Sequence, residues 1–99
     1  MPSAQFAAKN ILDKLMCKNM YFAYILKSLA DSRYYYGSTD NLDDRLKKHN
    51  SKRVKSTKSR VPFIVHYYEA FETRKDAVGR ERFFKSINGY IWLKENNII

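Results

Sequence analysis

Tyr24, Arg45, His49 and Glu81 are the side chains of this sequence best suited to chemistry, with Tyr35 and Gly37 close by in "YYYGSTDNLDDRLKKHN". Arg45 and His49 are four residues apart, one turn of a helix. At about 100° per residue, Leu42 and Leu46 mark the apolar stripe of that helix, and Arg45 and His49 fall within about 60° of Leu42. Lys47 and Lys48 point elsewhere. A guanidinium turned towards the body of a domain needs an anionic partner. That partner is either internal, Asp44 or Glu81, or a bound phosphate; on the internal reading His49 merely covers the helix end. Glu81 follows the same logic. Ala77, Glu81 and Phe84 are spaced i, i+4, i+7, so the carboxylate sits on an apolar face. It is paired there with Arg45, or it holds a hard cation such as Mg²⁺ whose shell a substrate phosphate completes.

The tyrosines divide. Tyr67 and Tyr68 read as strand packing. Tyr24 and Tyr35 are candidates to lie side by side on neighbouring strands, with hydroxyls able to bond a phosphate oxygen or a water. Gly37 directly after the tyrosines allows close backbone approach or a bend leaving the strand. His66, within an apolar strand, reads as a structural histidine with its own partner. Residues 45–60 hold eight Lys or Arg and no acid. Lys48, Lys52, Arg53, Lys55, Lys58 and Arg60 read as a flap that grips a phosphate backbone without reading sequence, helped by the hydroxyls of "SKRVKSTKSR".

The elements that must position these groups follow from pattern. "MYFAYIL" and "RYYYGS" are apolar and aromatic, as strands are, and "SLADS" between them is turn-like, so an antiparallel hairpin is expected. Thr39 or Asp40 is the expected cap of the next helix, with Asp43 and Asp44 in its first turn and an end near Asn50. Residues 51–61 have no period and form a loop closed by Pro62; "FIVHYYEAF" is a third strand. Thr73 with Asp76 forms a capping box for a helix expected to run to about Ile87. Asn88-Gly89 is expected to stop it, before a short helix over Tyr90 to Glu95. The result is an α/β (α+β) domain, β-β-α-β-α-α around a small sheet. It is expected over residues 20–99, after an N-terminal extension over residues 1–19 with an amphipathic helix over 3–17.

Composition narrows the partner. The 99 residues carry 19 Lys and Arg against 10 Asp and Glu, a formal charge of +9. Such an imbalance favours a polyanion, nucleic acid first and anionic membrane second. The single cysteine, Cys17, makes no intramolecular disulfide and no cysteine-based zinc site, which fits a reducing, cytoplasmic setting. No histidine lies near it in sequence, which argues against a thiol nucleophile. No run of 18 apolar residues exists and residues 1–19 do not read as a signal peptide. Lys9, Lys14 and Lys18 beside the single acid Asp13 leave a faint organelle-targeting signal, weakened by the lack of arginine there.

With these residues in view, the chain resembles the GIY-YIG nucleases over residues 20–99, above all their small stand-alone bacterial members. Phe22-Ala23-Tyr24 matches the first signature tripeptide loosely, keeping its tyrosine; Tyr35-Tyr36-Gly37 matches the second better. Gly37, Thr39, Asn41, Leu42, Arg45 and His49 meet the spacing that follows, and Glu81 meets the downstream glutamate. The resemblance implies a three-stranded antiparallel sheet flanked by helices, one divalent metal (Mg²⁺, or Mn²⁺ in its place), and hydrolysis of a phosphodiester. It implies that Glu81 holds the metal and Arg45 stabilises charge on the phosphoryl oxygens. Tyr24 becomes the general base or water-positioning hydroxyl, and Tyr35 and His49 orient phosphate or relay protons. A phenol with an ordinary pKa near 10 would need Arg45 or the metal to lower it for base work. The late asparagine of the family has three candidates, Asn88, Asn96 and Asn97. No second DNA-binding module is present in the sequence, so tight sequence specificity is not expected. The expected activity is a metal-dependent endonuclease on DNA ahead of RNA, on branched, damaged or single-stranded forms as in DNA repair. The alternatives are a non-catalytic nucleic-acid binder that keeps the fold and, third, a membrane-surface or partner-docking role for residues 3–17. No obligate protein partner is readable.

Overall fold

The computed structural model describes residues 20–99; the expected helix over 3–17 and Cys17 lie outside the described residues. Strands β1 (Tyr21–Ser28), β2 (Tyr34–Thr39) and β3 (Phe63–Phe71) form one antiparallel sheet in the order β2-β1-β3. Helix α1 (Leu42–Asn50) joins β2 to β3, and α2 (Arg74–Phe84) and α3 (Ile87–Glu95) follow. This is the expected α+β order.

The β1–β2 hairpin closes through Ser28. Its Oγ accepts from the backbone N–H groups of Ala30 and Asp31, both at 3.1 Å, and Ser32 takes the left-handed φ of 62°. The register sets Tyr24 opposite Gly37 and Leu26 opposite Tyr35. Because side chains alternate along a strand, these four share one face. On that face Phe22, Tyr24, Leu26, Leu42, Phe63 and Tyr68 make one core, with Leu46 of α1 against it. The other face buries Ala23, Ile25 and Tyr67 under Phe84 of α2, Leu93 of α3 and Ile98. Burying a side chain such as Phe84 or Leu93 contributes about 1.5–3 kcal/mol. Tyr67 and Tyr68 are therefore packing residues, as expected. The sheet is covered on both sides, so α1 and α2 approach it from opposite directions.

Two helix boundaries depart from expectation. Asn41, not Thr39 or Asp40, caps α1: its side chain accepts from the Asp44 N–H at 3.0 Å, while the Thr39 hydroxyl donates to the Asn41 carbonyl. The chain needs two residues to leave β2 before helical geometry begins. Helix α2 stops at Phe84 rather than near Ile87, and Asn88-Gly89 lies inside α3. Ser86 separates the two helices. Its Oγ accepts from the Gly89 N–H at 3.0 Å, which starts α3 three residues earlier than expected. Gly89 does not stop a helix but lets two approach: a Cβ there would collide with the Phe83 carbonyl and come within 2.9 Å of Phe84 Cα.

The basic segment between α1 and β3 is tied down at its roots. The Asn50 side chain donates to the Phe63 carbonyl at 3.0 Å and accepts from the Phe63 N–H at 2.6 Å. Ser28 Oγ donates to the Arg60 carbonyl at 2.6 Å, and the Leu29 N–H donates to the Pro62 carbonyl at 2.8 Å. His66 has a partner in the Ile98 carbonyl and lies against the Tyr34 ring, in keeping with a structural role. Among the described residues, no helix is long and apolar enough to cross a membrane.

Candidate active site

Helix α1 carries Arg45 and His49 onto the sheet face that displays Tyr24 and Tyr35. The stripe that begins with Leu42 aims both inward, as their spacing requires. His49 is fully buried. Its ring lies edge-on to Tyr35, centroids 4.8 Å apart, and its Nε2 is 3.3 Å from the Tyr24 hydroxyl. Arg45 Nε donates to the same hydroxyl at 3.4 Å. The Tyr24 oxygen is thus the hub of a small polar cluster inside an otherwise apolar face.

Gly37 makes room for that hub. A Cβ at this position would collide with the Tyr24 hydroxyl and stand 2.6 Å from Cζ. Its absence lets the hydroxyl end of the Tyr24 ring fill the space beside Gly37. The signature glycine is there for clearance, since its φ is not positive.

Electrostatics in the cluster run against a preformed base. Burial pushes the Tyr24 phenol above its ordinary value; Arg45 pulls it down, but burial wins. Arg45 does lower the phenol, as base work would require, but the guanidinium offsets only part of the desolvation. Burial, with Arg45 nearby, pushes the His49 imidazole down to about 4, so it is neutral at physiological pH. The guanidinium of Arg45 is itself favoured in its charged form, first by its bond to the Tyr24 hydroxyl.

Glu81 stands on the other side of the edge strand. Its Oε1 accepts from Ser38 Oγ at 2.7 Å, and its Oε2 accepts from Lys85 Nζ at 2.7 Å. Ser38 pairs with Ala23 and so faces α2, one residue along from Gly37. Among the described residues, the ion pairs of Glu81 and Asp44 are with Lys85 and Lys48, not with Arg45, so of the two open readings the internal pairing of Arg45 is not found. The charge of Glu81 is still felt at Tyr24, where it helps raise the phenol. Three of the four expected side chains are brought into direct contact, and the fourth faces them across the Gly37-Ser38 backbone.

The chemistry of Glu81 suits a cation. It is a hard-oxygen group with its side chain 20% exposed, and an ammonium already sits on it. The Lys85 side chain is half exposed. Among the described residues no group of three His, Cys, Asp or Glu is gathered for a metal. Such a site fits Mg²⁺ or Mn²⁺ only as one carboxylate completed by water and substrate oxygen, a coordination Mg²⁺ commonly accepts.

The basic residues are split. Lys52, Arg53, Lys55 and Lys58 are exposed on the loop. Lys48 pairs with Asp44 at 3.6 Å on the outer face of α1. Arg60 is drawn back: its Nε donates to Asp31 at 2.9 Å and its guanidinium lies 5.4 Å from the Phe63 ring centroid. Asn96 donates to the Trp92 carbonyl, Asn97 takes a left-handed φ of 58°, and Asn88 is exposed on α3. No hydrogen bond among the described residues links these three asparagines to the cluster.

Three partners were not foreseen from sequence. Lys85, four residues after Glu81, carried a readable helical-pair signal. Ser38 had only its place beside Gly37. Thr57 was read only among the loop hydroxyls that help grip phosphate; that is corrected, since it is fully buried with Oγ1 2.8 Å from His49 Nδ1.

Comparison with known proteins identifies the family. A family model described as the GIY-YIG catalytic domain matches residues 20–97. A UPF0213 protein of Bacillus licheniformis is 39% identical over 71 residues, covering 71% of this chain and 72% of its own length. A UPF0213 protein of Listeria innocua is 41% identical over 71 residues, covering 71% and 78%. A solution NMR structure of a Bacillus halodurans UPF0213 protein is 32% identical, covers 77% of this chain and 83% of its own, and gives a TM-score of 0.46. The family match spans nearly every described residue, and the chain belongs to the GIY-YIG catalytic domain family, a family of nucleases.

Proposed function

We propose that this protein is a Mg²⁺-dependent endonuclease, able to use Mn²⁺, that hydrolyses DNA phosphodiester bonds with low sequence specificity, and that residues 20–99 are its catalytic unit. The observation that carries the reading is the bonded set Arg45–Tyr24–His49 on one sheet face, opened by Gly37. In this reading Arg45, held by Tyr24, meets the charge that grows on the phosphoryl oxygens. Tyr24, a neutral phenol, would take up the proton of the attacking water at its oxygen as its own proton passes to His49 Nε2, so it ends neutral, and the departing ester oxygen would take its proton from solvent. Tyr35 orients the imidazole edge-on. Glu81 would hold the divalent cation in place of the Lys85 ammonium. That cation would polarise the scissile phosphate and ease ionisation of water. Lys52, Arg53, Lys55 and Lys58 would grip the phosphate backbone, with Lys48 at the helix edge and Arg60 bracing the loop root. Backbone contacts of this kind position a strand without reading bases.

A supercoiled plasmid incubated with the pure protein tests this. Nicking with Mg²⁺ that stops in EDTA supports the proposal; no nicking in either metal on plasmid, single-stranded or branched DNA overturns it. One observation favours a second reading, a non-catalytic DNA binder. Both oxygens of Glu81 are already engaged, by Ser38 and by Lys85. On that reading DNA is bound, with log K falling by about 0.9 per log unit of salt for each phosphate neutralised, and never cut.

A further inference from the structure

The hydrogen bonds around His49 admit one arrangement that satisfies every donor. Arginine only donates, so Arg45 Nε–H gives its proton to the Tyr24 oxygen. The hydroxyl of Tyr24, a residue 1% exposed, then has its own proton to place, and His49 Nε2 at 3.3 Å is the acceptor within reach. Nε2 is therefore bare, and the neutral ring carries its proton on Nδ1. That proton goes to Thr57 Oγ1 at 2.8 Å, and the Thr57 hydroxyl donates in turn to the Val54 carbonyl at 3.4 Å. The reverse tautomer would put two donors on the Tyr24 oxygen and strand the phenol proton in a buried site.

We propose that Thr57 is a positioning residue of the site, holding His49 in the Nδ1–H tautomer so that a bare Nε2 faces the Tyr24 hydroxyl. The assignment rests on the nuclease reading only for its consequence in catalysis; the tautomer itself follows from the geometry. Thr57 is fully buried although its neighbours Ser56 and Lys58 are exposed, so the loop folds back at this one residue to deliver the hydroxyl. The Thr57 N–H also donates to the Val54 carbonyl at 3.0 Å, and the Arg60 N–H to the Thr57 carbonyl at 2.9 Å, which fixes the residue between two turns. The segment that carries the exposed cations therefore also carries the outer partner of the imidazole. In this way the backbone-gripping loop and the proton-accepting ring are built from one piece of chain. A hydroxyl whose single proton goes to the Val54 carbonyl can only accept from Nδ1–H, which is how it selects the tautomer.

The test uses the full chain labelled with ¹⁵N. Long-range ¹H–¹⁵N correlations of the His49 ring near neutral pH are expected to show a protonated Nδ1 and a bare Nε2. Thr57→Val, of the same shape without the hydroxyl, should shift the ring towards a mixture of tautomers, and Thr57→Ser should restore the wild-type pattern. On DNA, Thr57→Val should lower kcat about 10–100-fold, as loss of an outer partner of a functional histidine does, with KM little changed and Thr57→Ser close to wild type. A protonated Nε2 in the wild type overturns the proposal, as does an unchanged tautomer in a folded Thr57→Val. If Thr57→Val does not fold, the wild-type tautomer and Thr57→Ser decide. The ring spectra need no cleavage, so a protein that never cuts DNA would refute the nuclease reading and leave the tautomer result standing.

Discussion

Replacing Gly37 by alanine probes the clearance on which the cluster depends. The new Cβ would fall on the Tyr24 hydroxyl, 2.6 Å from Cζ and 3.1 Å from Cε1. Carbons pack at about 3.5–4.0 Å, so the ring must retreat by roughly 1 Å. It has nowhere easy to go, being 1% exposed among Phe22, Leu26, Leu42, Phe63 and Tyr68. Overpacking of this kind costs about 1–3 kcal/mol, and the entropy regained on removing a strand glycine returns about 0.5–1. A net loss of about 1–2 kcal/mol lowers Tm by roughly 5–15 °C in a domain of this size. Activity suffers more. The bonds from Tyr24 to His49 and Arg45 are already 3.3 and 3.4 Å, and a further shift of about 1 Å breaks them. A displacement that small can cost about 10² in rate. Circular dichroism melts and single-turnover plasmid nicking measure the two effects. The double variant Gly37→Ala, Tyr24→Phe removes the first atom struck, so it should recover part of the Tm and none of the rate. A Gly37→Ala protein that melts and cuts like wild type would refute the clearance argument.

The other glycines separate packing from function. Gly89→Ala should destabilise strongly, because its Cβ meets Phe83 and Phe84 backbone that cannot rotate away, whereas Gly79→Ala, with open space around it in α2, should stabilise by about 0.5–1 kcal/mol; thermal melts rank the two. His49, neutral and pushed down to about 4 from 6.5, contributes a loss of stability as pH falls through that window, because the unfolded chain takes up the proton first. Stability is unaffected by this group above about pH 6.5, declines towards pH 4, and levels below it; urea titrations should show a slope that flattens in His49→Gln. Lys85→Gln removes an exposed i, i+4 pair worth about 0.3–0.5 kcal/mol. It should roughly halve the Mg²⁺ needed for half-maximal nicking, and an unchanged Mg²⁺ dependence would argue against Glu81 as the cation's ligand.

Much of this architecture was legible because its signals are local. Strand runs such as Phe63–Phe71, the Thr73 cap and the stripe that aims Arg45 and His49 inward each depend on a few adjacent residues. The misreadings have the same origin. Asn88-Gly89 looked like a stop because glycine usually ends helices, yet here it answers to Phe83 in the preceding helix. An internal pair of Arg45 with Glu81 was one of two open readings, because each lies on an apolar stripe. Their two helices pack on opposite faces of the sheet, which no stripe reveals. Thr57 was invisible for a related reason: its partner is eight residues away across a loop without period.

Glu81→Gln compared with wild type in single-turnover cleavage, with DNA affinity measured alongside, tests the central claim most directly. The variant keeps the shape and the Ser38 hydrogen bond but loses the charge that would hold a cation. Nicking should fall by at least about 10², while DNA binding at the same salt stays within a few-fold. Wild-type cleavage rates in Glu81→Gln would contradict a catalytic site built from this glutamate, Tyr24, Arg45 and His49.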